Sequence, residues 1–218
     1  DMTAFDFMQR LHDRLGLNHL VLGYDSTLGK NREGNATRLT EIGLELGYSV
    51  EVVPALSDDS GVISSTEIRK LISTGTVAEA THLLGHPYSL QGTVVHGDHR
   101  GRELGYPTAN LVHPVDKLIP ANGIYACWAR LGLERFKAAV NIGLRPTVKN
   151  DQQVPNVEAY LLEFDREIYG ETLELEFVMR LRDEMKFPSL LALVEQIRDD
   201  VEQAAYDRSA DAASATTN

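Results

Sequence analysis

Apolar and mostly polar residues alternate along Thr172-Leu173-Glu174-Leu175-Glu176-Phe177-Val178-Met179-Arg180-Leu181-Arg182. Successive side chains of a β-strand point to opposite faces of a sheet, so this period of two predicts a strand with one face in the core and the other mostly in solvent. A half-solvated strand is typical of antiparallel sheets. The stretch therefore predicts an antiparallel β structure for the C-terminal part of the chain.

Five further strand-like segments precede this one, at 91–96, 108–112, 123–131, 136–143 and 157–164. About six antiparallel strands joined by long loops close most economically as a small barrel. After the last strand, one helical face over 189–206 carries Leu190, Val194, Ile197, Val201 and Ala204. We therefore expect a six-stranded antiparallel β-barrel with a C-terminal helix packed across it.

Upstream of residue 86, helix and strand alternate instead. Apolar spacing predicts helices over 5–17 and 37–46, and short apolar runs predict strands at 19–23 and 49–53. This order is typical of half of a doubly wound, Rossmann-like α/β sheet. The polar loop at 23–34 follows a strand's carboxyl end, where such sheets place ligands, although a plain connection explains it equally well.

Two capping-box patterns, Ser64-x-x-Glu67 and Thr76-x-x-Glu79, predict the starts of two more helices. A glycine and proline cluster near residue 86 then marks a change of pattern. We place an α/β domain at 1–85, the barrel domain at 86–206 and a disordered tail at 207–218.

The net charge, the cysteine count and the absence of long apolar runs limit the classes of function to be considered. A net charge of −11 argues against a surface for nucleic acid or an anionic membrane, because both need clustered Lys and Arg. The single cysteine, Cys127, lies in a predicted strand and is expected to be a buried, inert thiol. Neither a signal peptide nor a membrane-length apolar run is present in the sequence, which predicts a cytoplasmic protein. The chain begins at Asp1 with a predicted helix, so we expect that an upstream part is missing.

The loop between the first two predicted barrel strands is spaced by Gly92, Gly97, Gly101 and Gly105. Glycines permit close approach of the backbone to a ligand, and Arg102 within the loop can neutralise phosphate oxygens. The Walker pattern is excluded, because no Lys followed by Ser or Thr comes after the last glycine. A wide hairpin loop explains the same composition without any ligand.

A small polar tetrad, Pro107-Thr108-Ala109-Asn110, follows the loop. It offers a rigid φ angle, a hydroxyl and an amide carbonyl within four residues. A hydroxyl and a carbonyl oxygen can share one hard cation beside a phosphate. Thr108 and Asn110 are therefore candidate metal ligands.

The run at 101–111 resembles the signature of riboflavin kinases. Four further segments resemble that family in the same order, at 118–126, 141–147, 157–160 and 181–187. Five ordered motifs form a specific signal where one alone is weak. Upstream, 21–25 and 63–69 resemble the second half of the adenylyltransferase domain that bacterial bifunctional FAD synthetases carry before the kinase.

The resemblance implies that ATP and riboflavin react to give ADP and FMN, with Mg²⁺ joining the phosphates to Thr108 and Asn110. It implies that Glu158 accepts the proton of the ribityl 5′-hydroxyl. The predicted cofactor-binding residues are Gly92, Gly97, Gly101, Arg102, Gly105, Pro107, Asn141, Arg145 and Arg182, together with Ser65, Thr66 and Arg69 for adenylate phosphates. A solvated strand end for Glu158, a surface charge for Arg182 and a plain loop for Arg145 are the structural alternatives.

Three hypotheses follow. The first is a riboflavin kinase acting on small molecules. The second adds FMN adenylylation in an intact FAD synthetase, but the family's His-x-Gly-His motif does not occur in this sequence, so the chain itself is expected to make no FAD. The third is a flavin-binding regulatory module without catalysis, which a turnover assay distinguishes from the first.

Overall fold

The computed structural model describes residues 2–58, 61–97, 105–145, 154–185 and 189–206. The chain forms two compact units, Asp1–Ile63 and Ser64–Asn218. In the part of the chain so described, no helix is long and apolar enough to cross a membrane.

The first unit packs two helices on a two-stranded parallel sheet. Its elements are α1 (Ala4–Leu15), β1 (His19–Gly23), α2 (Ala36–Leu46) and β2 (Ser49–Val53), followed by the short hairpin of β3 (Ser57–Asp58) and β4 (Gly61–Val62). The register of β1 and β2 runs from His19 opposite Ser49 to Gly23 opposite Val53. The core contains Ala4, Met8, Leu22, Leu39, Ile42 and Tyr48. The predicted helices and parallel strands are confirmed.

The two α-helices of this unit each begin at a residue whose side chain accepts a hydrogen bond from a free backbone N–H, whereas the 3-10 helix at Lys30–Arg32 has no such cap. The Thr3 hydroxyl accepts a hydrogen bond from the backbone N–H of Asp6, and the Asn35 side chain accepts one from that of Arg38. Both helices end at a left-handed glycine, Gly16 and Gly47. Such caps fix where the helices start and stop.

The second unit contains α3 (Ser65–Thr74), α4 (Val77–Leu84) and a closed antiparallel barrel. The described strands are β5 (Tyr88–Val95), β6 (Ala109–Val112), β7 (Gly123–Leu131), β8 (Glu134–Arg145), β9 (Val154–Leu161) and β10 (Thr172–Arg182). They close in the order β10-β5-β6-β9-β8-β7. Helix α5 (Leu190–Tyr206) packs mainly on β8 and β7. This confirms the predicted six-stranded barrel with a C-terminal helix.

The barrel interior is apolar and closely packed. Tyr125, Val140, Leu173, Leu175 and Phe177 are all fully buried there. Cys127 is also buried, as its position in the predicted strand suggested.

The alternation of buried and more exposed residues along β10 ends before the strand itself ends. Register shifts against β7 occur between Phe177 and Met179 and between Arg180 and Arg182. A bulge re-aims the side chains that follow it, so Met179 and Leu181 are half-buried rather than core residues. The alternation predicted from the sequence is therefore correct only as far as Phe177.

Two other local predictions differ from the structure. Strand β9 was expected over 157–164, but it starts at Val154 and ends at Leu161, because Glu163 takes a positive φ of 54° in the turn that follows. Thr76 stands at the start of α4 without a side-chain cap, since its φ and ψ of −82° and 57° are not those of a cap and its hydroxyl pairs with that of Thr74. Ser64 does cap α3, accepting from the backbone N–H of Glu67.

Helices α3 and α4 belong to the same compact unit as the barrel. The glycine between them, Gly75, lies against the Tyr125 hydroxyl and the Arg180 side chain, and a Cβ there would come within 2.8 Å of that hydroxyl. The compact units thus divide after Ile63, and the functional boundary after residue 85 stays a prediction.

Candidate active site

Three polar side chains form one row across the barrel strands β6, β9 and β8. Asn110 and Asn141 are both Cα partners of Glu158. Directly opposed residues of antiparallel strands point to the same face. Because Val157 and Ala159 on either side of Glu158 are fully buried in the core, this row lies on the outer face of the barrel.

Asn110 is held under the backbone of Gly97. Its side chain is buried although it points outward, and a Cβ on Gly97 would come within 2.6 Å of the Asn110 Cγ atom. A side chain at position 97 would therefore have to displace the Asn110 side chain, and the ligand contact expected of Gly97 stays a prediction. Among the residues that the structure describes, none hydrogen-bonds the Asn110 Oδ1 atom. A buried amide oxygen without a partner in that set is available to a ligand.

Glu158 is half-buried, and its carboxylate is oriented by a neighbour. The Asn156 side-chain amide donates a hydrogen bond to Oε1 of Glu158 at 2.7 Å. Asn156 is two residues earlier on the same strand and therefore on the same face. A hydrogen bond donated to a carboxylate is charge-assisted, and here it fixes the orientation of the Glu158 carboxylate.

A cavity of about 270 Å³ opens beside this row. It is lined by Gly97, Pro107 and Thr108 from the loop between β5 and β6, and by strand residues Val94, Ala109, Asn110, Ala159 and Leu161. Thr108 and Asn110 thus both line one cavity. A hydroxyl and an amide oxygen suit Mg²⁺, which binds few protein ligands and keeps the rest of its shell for water and phosphate.

The opposite wall of the cavity was not identified from the sequence. It consists of Phe164, Asp165, Arg166, Glu167, Ile168 and Tyr169, between β9 and β10. The Arg166 guanidinium donates to Glu134 at 2.6 Å and lies 5.0 Å from the Phe164 ring centre, while Tyr169 stacks on His96 at 3.8 Å. The sequence signal was three consecutive charges, 165–167, following an aromatic residue.

Two further glycines of the loop, Gly92 and Gly105, shape the local backbone. A Cβ on Gly92 would come within 2.7 Å of the Val112 carbonyl oxygen, so this glycine permits the close pairing of β5 and β6. Gly105 has a φ of 83° just before the tetrad. Gly101 and Arg102 lie outside the described residues, as does the side chain of Arg145.

Arg182 contacts α5 rather than the cavity. Its guanidinium donates to both carboxylate oxygens of Asp200, at 2.8 and 2.5 Å, and Gln196 donates to the same carboxylate at 3.2 Å. Asp200 is buried. The flavin contact expected of Arg182 stays a prediction.

Ser65, Thr66 and Arg69 lie at the start of α3, in the barrel-containing unit. None of them is among the described residues that line the cavity. In the first unit, the loop after β1 folds over the start of α1, where the Glu33 carboxylate accepts a hydrogen bond from the backbone N–H of Ala4 at 2.7 Å.

The sequence model of the family described as riboflavin kinase matches residues 84–206, more than half of the chain. The chain belongs to the riboflavin kinase family. A second model, described as FAD synthetase, matches residues 1–67 of this family member. The resemblance drawn from the five motifs is thereby confirmed.

Curated relatives extend the similarity along most of this riboflavin kinase family member. A bifunctional riboflavin kinase/FMN adenylyltransferase of Listeria monocytogenes is 41% identical, over 85% of this chain and 59% of its own length. The protein of the same name from Haemophilus influenzae is 38% identical, over 90% of this chain and 63% of its own length. The chain thus spans about three fifths of these relatives.

A crystal structure described as a macrolide-efflux protein from Streptococcus pneumoniae has a TM-score of 0.86 and 35% identity, and the match covers 94% of this chain and 66% of that one. Its description differs from the names of the curated relatives.

Proposed function

We propose that this chain transfers the γ-phosphoryl group of ATP to the 5′-hydroxyl of riboflavin, giving FMN and ADP. The observation that carries the proposal is the direct pairing of Asn110 with Glu158 beside the cavity that Thr108 lines. In this pairing the amide of Asn110, which is a proposed Mg²⁺ ligand, lies next to the carboxylate of Glu158 on the outer face of the barrel. Phosphoryl transfer asks a protein mainly for positioning and charge neutralisation.

The cavity is proposed as the ATP site, with the triphosphate toward Gly97 and Thr108. Thr108 and Asn110 would hold Mg²⁺, and the ion, when bound, would neutralise charge on the phosphates. Riboflavin would lie on the outer face near Glu158 and Asn141. ATP and magnesium are cytoplasmic reagents, and we propose a cytoplasmic reaction.

In the proposed reaction, the riboflavin 5′-oxygen forms a bond to the γ-phosphorus, and the bond from that phosphorus to the β–γ bridging oxygen breaks. Glu158 accepts the hydroxyl proton, and ADP leaves with the electron pair of the broken bond. The Glu158 carboxylate lies one strand from Asn110, so the proton acceptor and the phosphate site are adjacent. General-base help of this kind is worth about 10²–10⁴-fold in rate.

The test is FMN formation by the purified chain with riboflavin, ATP and Mg²⁺, followed by chromatography. We expect Thr108→Ala and Asn110→Ala to abolish Mg²⁺-dependent turnover while keeping the melting temperature. Gln91→Leu, a change at an exposed position of β5, is the matched control and should behave as wild type. Wild-type rates with unchanged metal dependence in both alanine variants would overturn the metal assignment. Tight flavin binding without any phosphorylation by wild type would favour the regulatory module.

The match of 1–67 to the FAD synthetase family favours a second activity, adenylylation of FMN. The 218 residues contain no His-x-Gly-His motif, so we expect no FAD from FMN and ATP with this chain alone. The same chromatographic assay started from FMN tests this. FAD formed by preparations free of contaminating synthetase would contradict it.

A further inference from the structure

The Glu158 carboxylate accepts a hydrogen bond from Asn156, a residue that lies outside all the sequence motifs. Asn156 Nδ2 donates to Oε1 of Glu158 at 2.7 Å, and the pair is partly buried. Both residues are on β9, two positions apart, with the chain held between β6 and β8. Strand geometry therefore fixes the separation of the two side chains.

The residue opposite Asn156 does not compete for its amide. Its cross-strand partner on β8 is Gly143, which has no side chain. The Glu184 carboxylate lies over Gly143 and accepts a hydrogen bond from Asn122 at 3.3 Å. The Asn156 amide donates instead to the Glu158 carboxylate.

We propose that Asn156 is a positioning residue for phosphoryl transfer, whose amide occupies Oε1 of Glu158 and leaves Oε2 for the proton of the riboflavin hydroxyl. This inference rests on the proposed function. An amide N–H can only donate, so the Asn156 amide engages one oxygen of the Glu158 carboxylate as an acceptor. It also restricts the carboxylate to one orientation, which a base needs for proton transfer within hydrogen-bond reach.

Several other side chains lie around Glu158. Tyr160 follows on the same face of β9 and makes an edge contact with Tyr106, and Glu184 approaches from the segment after β10. Asn110 and Asn141, the two cross-strand neighbours, carry no charge. Arg182, beyond Asn141 and Ile124 in the same row, is engaged by Asp200. A change at Asn156 therefore alters the donor nearest to Glu158 while leaving these groups in place.

Two variants of nearly equal size separate orientation from simple packing. Asn156→Leu removes the donor without adding charge, and we expect kcat to fall about tenfold or more while both KM values stay within about threefold, as for the loss of one hydrogen bond to a charged group. Asn156→Asp replaces the donor with a second carboxylate, which cannot donate a hydrogen bond to Glu158. Its kcat should fall at least as far as that of Asn156→Leu, because the orienting hydrogen bond is lost in both variants.

A double-mutant cycle assigns the effect to Glu158. In a Glu158→Gln background, Asn156→Leu should change kcat by less than about twofold, because the carboxylate it orients is gone. Gln91→Leu again serves as the control for an amide-to-leucine change on the barrel exterior.

The outcomes are distinct. Wild-type kcat in both Asn156 variants would overturn the positioning role, while the kinase function would stand. A loss of kcat that persists in full in the Glu158→Gln background would also overturn it, since Asn156 would then act through the fold. Failure of wild type to make FMN would instead remove the proposed function itself.

Discussion

The ion pair between Arg182 and Asp200 should determine how firmly α5 is held on the barrel. The two side chains are 18% and 6% exposed, and they share two hydrogen bonds of 2.8 and 2.5 Å. Asp200→Ala would leave a largely buried guanidinium without its carboxylate. Breaking a buried pair by removing one partner costs about 3–5 kcal/mol. Because Arg182 keeps some exposure and a bond to the Asp183 carbonyl, we expect about 3 kcal/mol.

For a unit the size of Ser64–Asn218, this loss corresponds to a melting temperature lower by roughly 6–12 °C. The chain has a single tryptophan, Trp128 on β7, so its fluorescence during heating reports the barrel unit. Asp199→Ala is the matched control. Its carboxylate is 62% exposed and lies 3.9 Å from Arg198, so its removal should shift stability by less than about 0.5 kcal/mol.

Replacing both partners should be much milder than removing one. Arg182→Met combined with Asp200→Leu substitutes apolar side chains for the pair, and the free energy of unfolding should return close to that of wild type. If Asp200→Ala melts within about 1 °C of Asp199→Ala, the pair is solvated in solution and the reasoning from its burial is wrong. The same holds if the double substitution is no better than the single one.

Three other predictions follow from the site and the core. Glu158→Gln should lower kcat at least about a hundredfold with much smaller changes in ligand dissociation constants, and turnover within a few-fold of wild type would make Glu158 a structural strand residue. Gly97→Ala should displace the Asn110 side chain and sharply reduce Mg²⁺-dependent FMN formation, which a metal titration would detect as a weaker apparent Mg²⁺ affinity. Burial raises the pKa of the Cys127 thiol well above its ordinary value of 9.0, because the folded state holds the thiol in its neutral form. The thiol therefore contributes its full stabilisation to the folded state below pH 9, and this contribution is lost as the pH rises above that value. The free energy of unfolding, measured in urea, should therefore fall less steeply above pH 9 in Cys127→Ala than in wild type, and equal slopes would contradict the assignment.

The sequence by itself determined which elements form and to which family the chain belongs. Period-two alternation identified β10, and apolar spacing with Ser64 as a cap identified α3, because both signals arise from residues a few positions apart. The ordered motifs likewise identified Thr108, Asn110 and Glu158 as candidates. None of this information depends on how distant segments meet.

Tertiary structure decided how those candidates are arranged. The row of Asn110, Glu158 and Asn141 depends on the register of three strands, and the partner of Arg182 lies on a helix 18 residues away. The contribution of 164–169 to the cavity likewise depends on how the segment between β9 and β10 meets β5 and β6. The register of the strands is set by the packing of entire sheet faces and by closure of the sheet into a barrel. These interactions join residues far apart in the sequence, so no local sequence pattern predicts them.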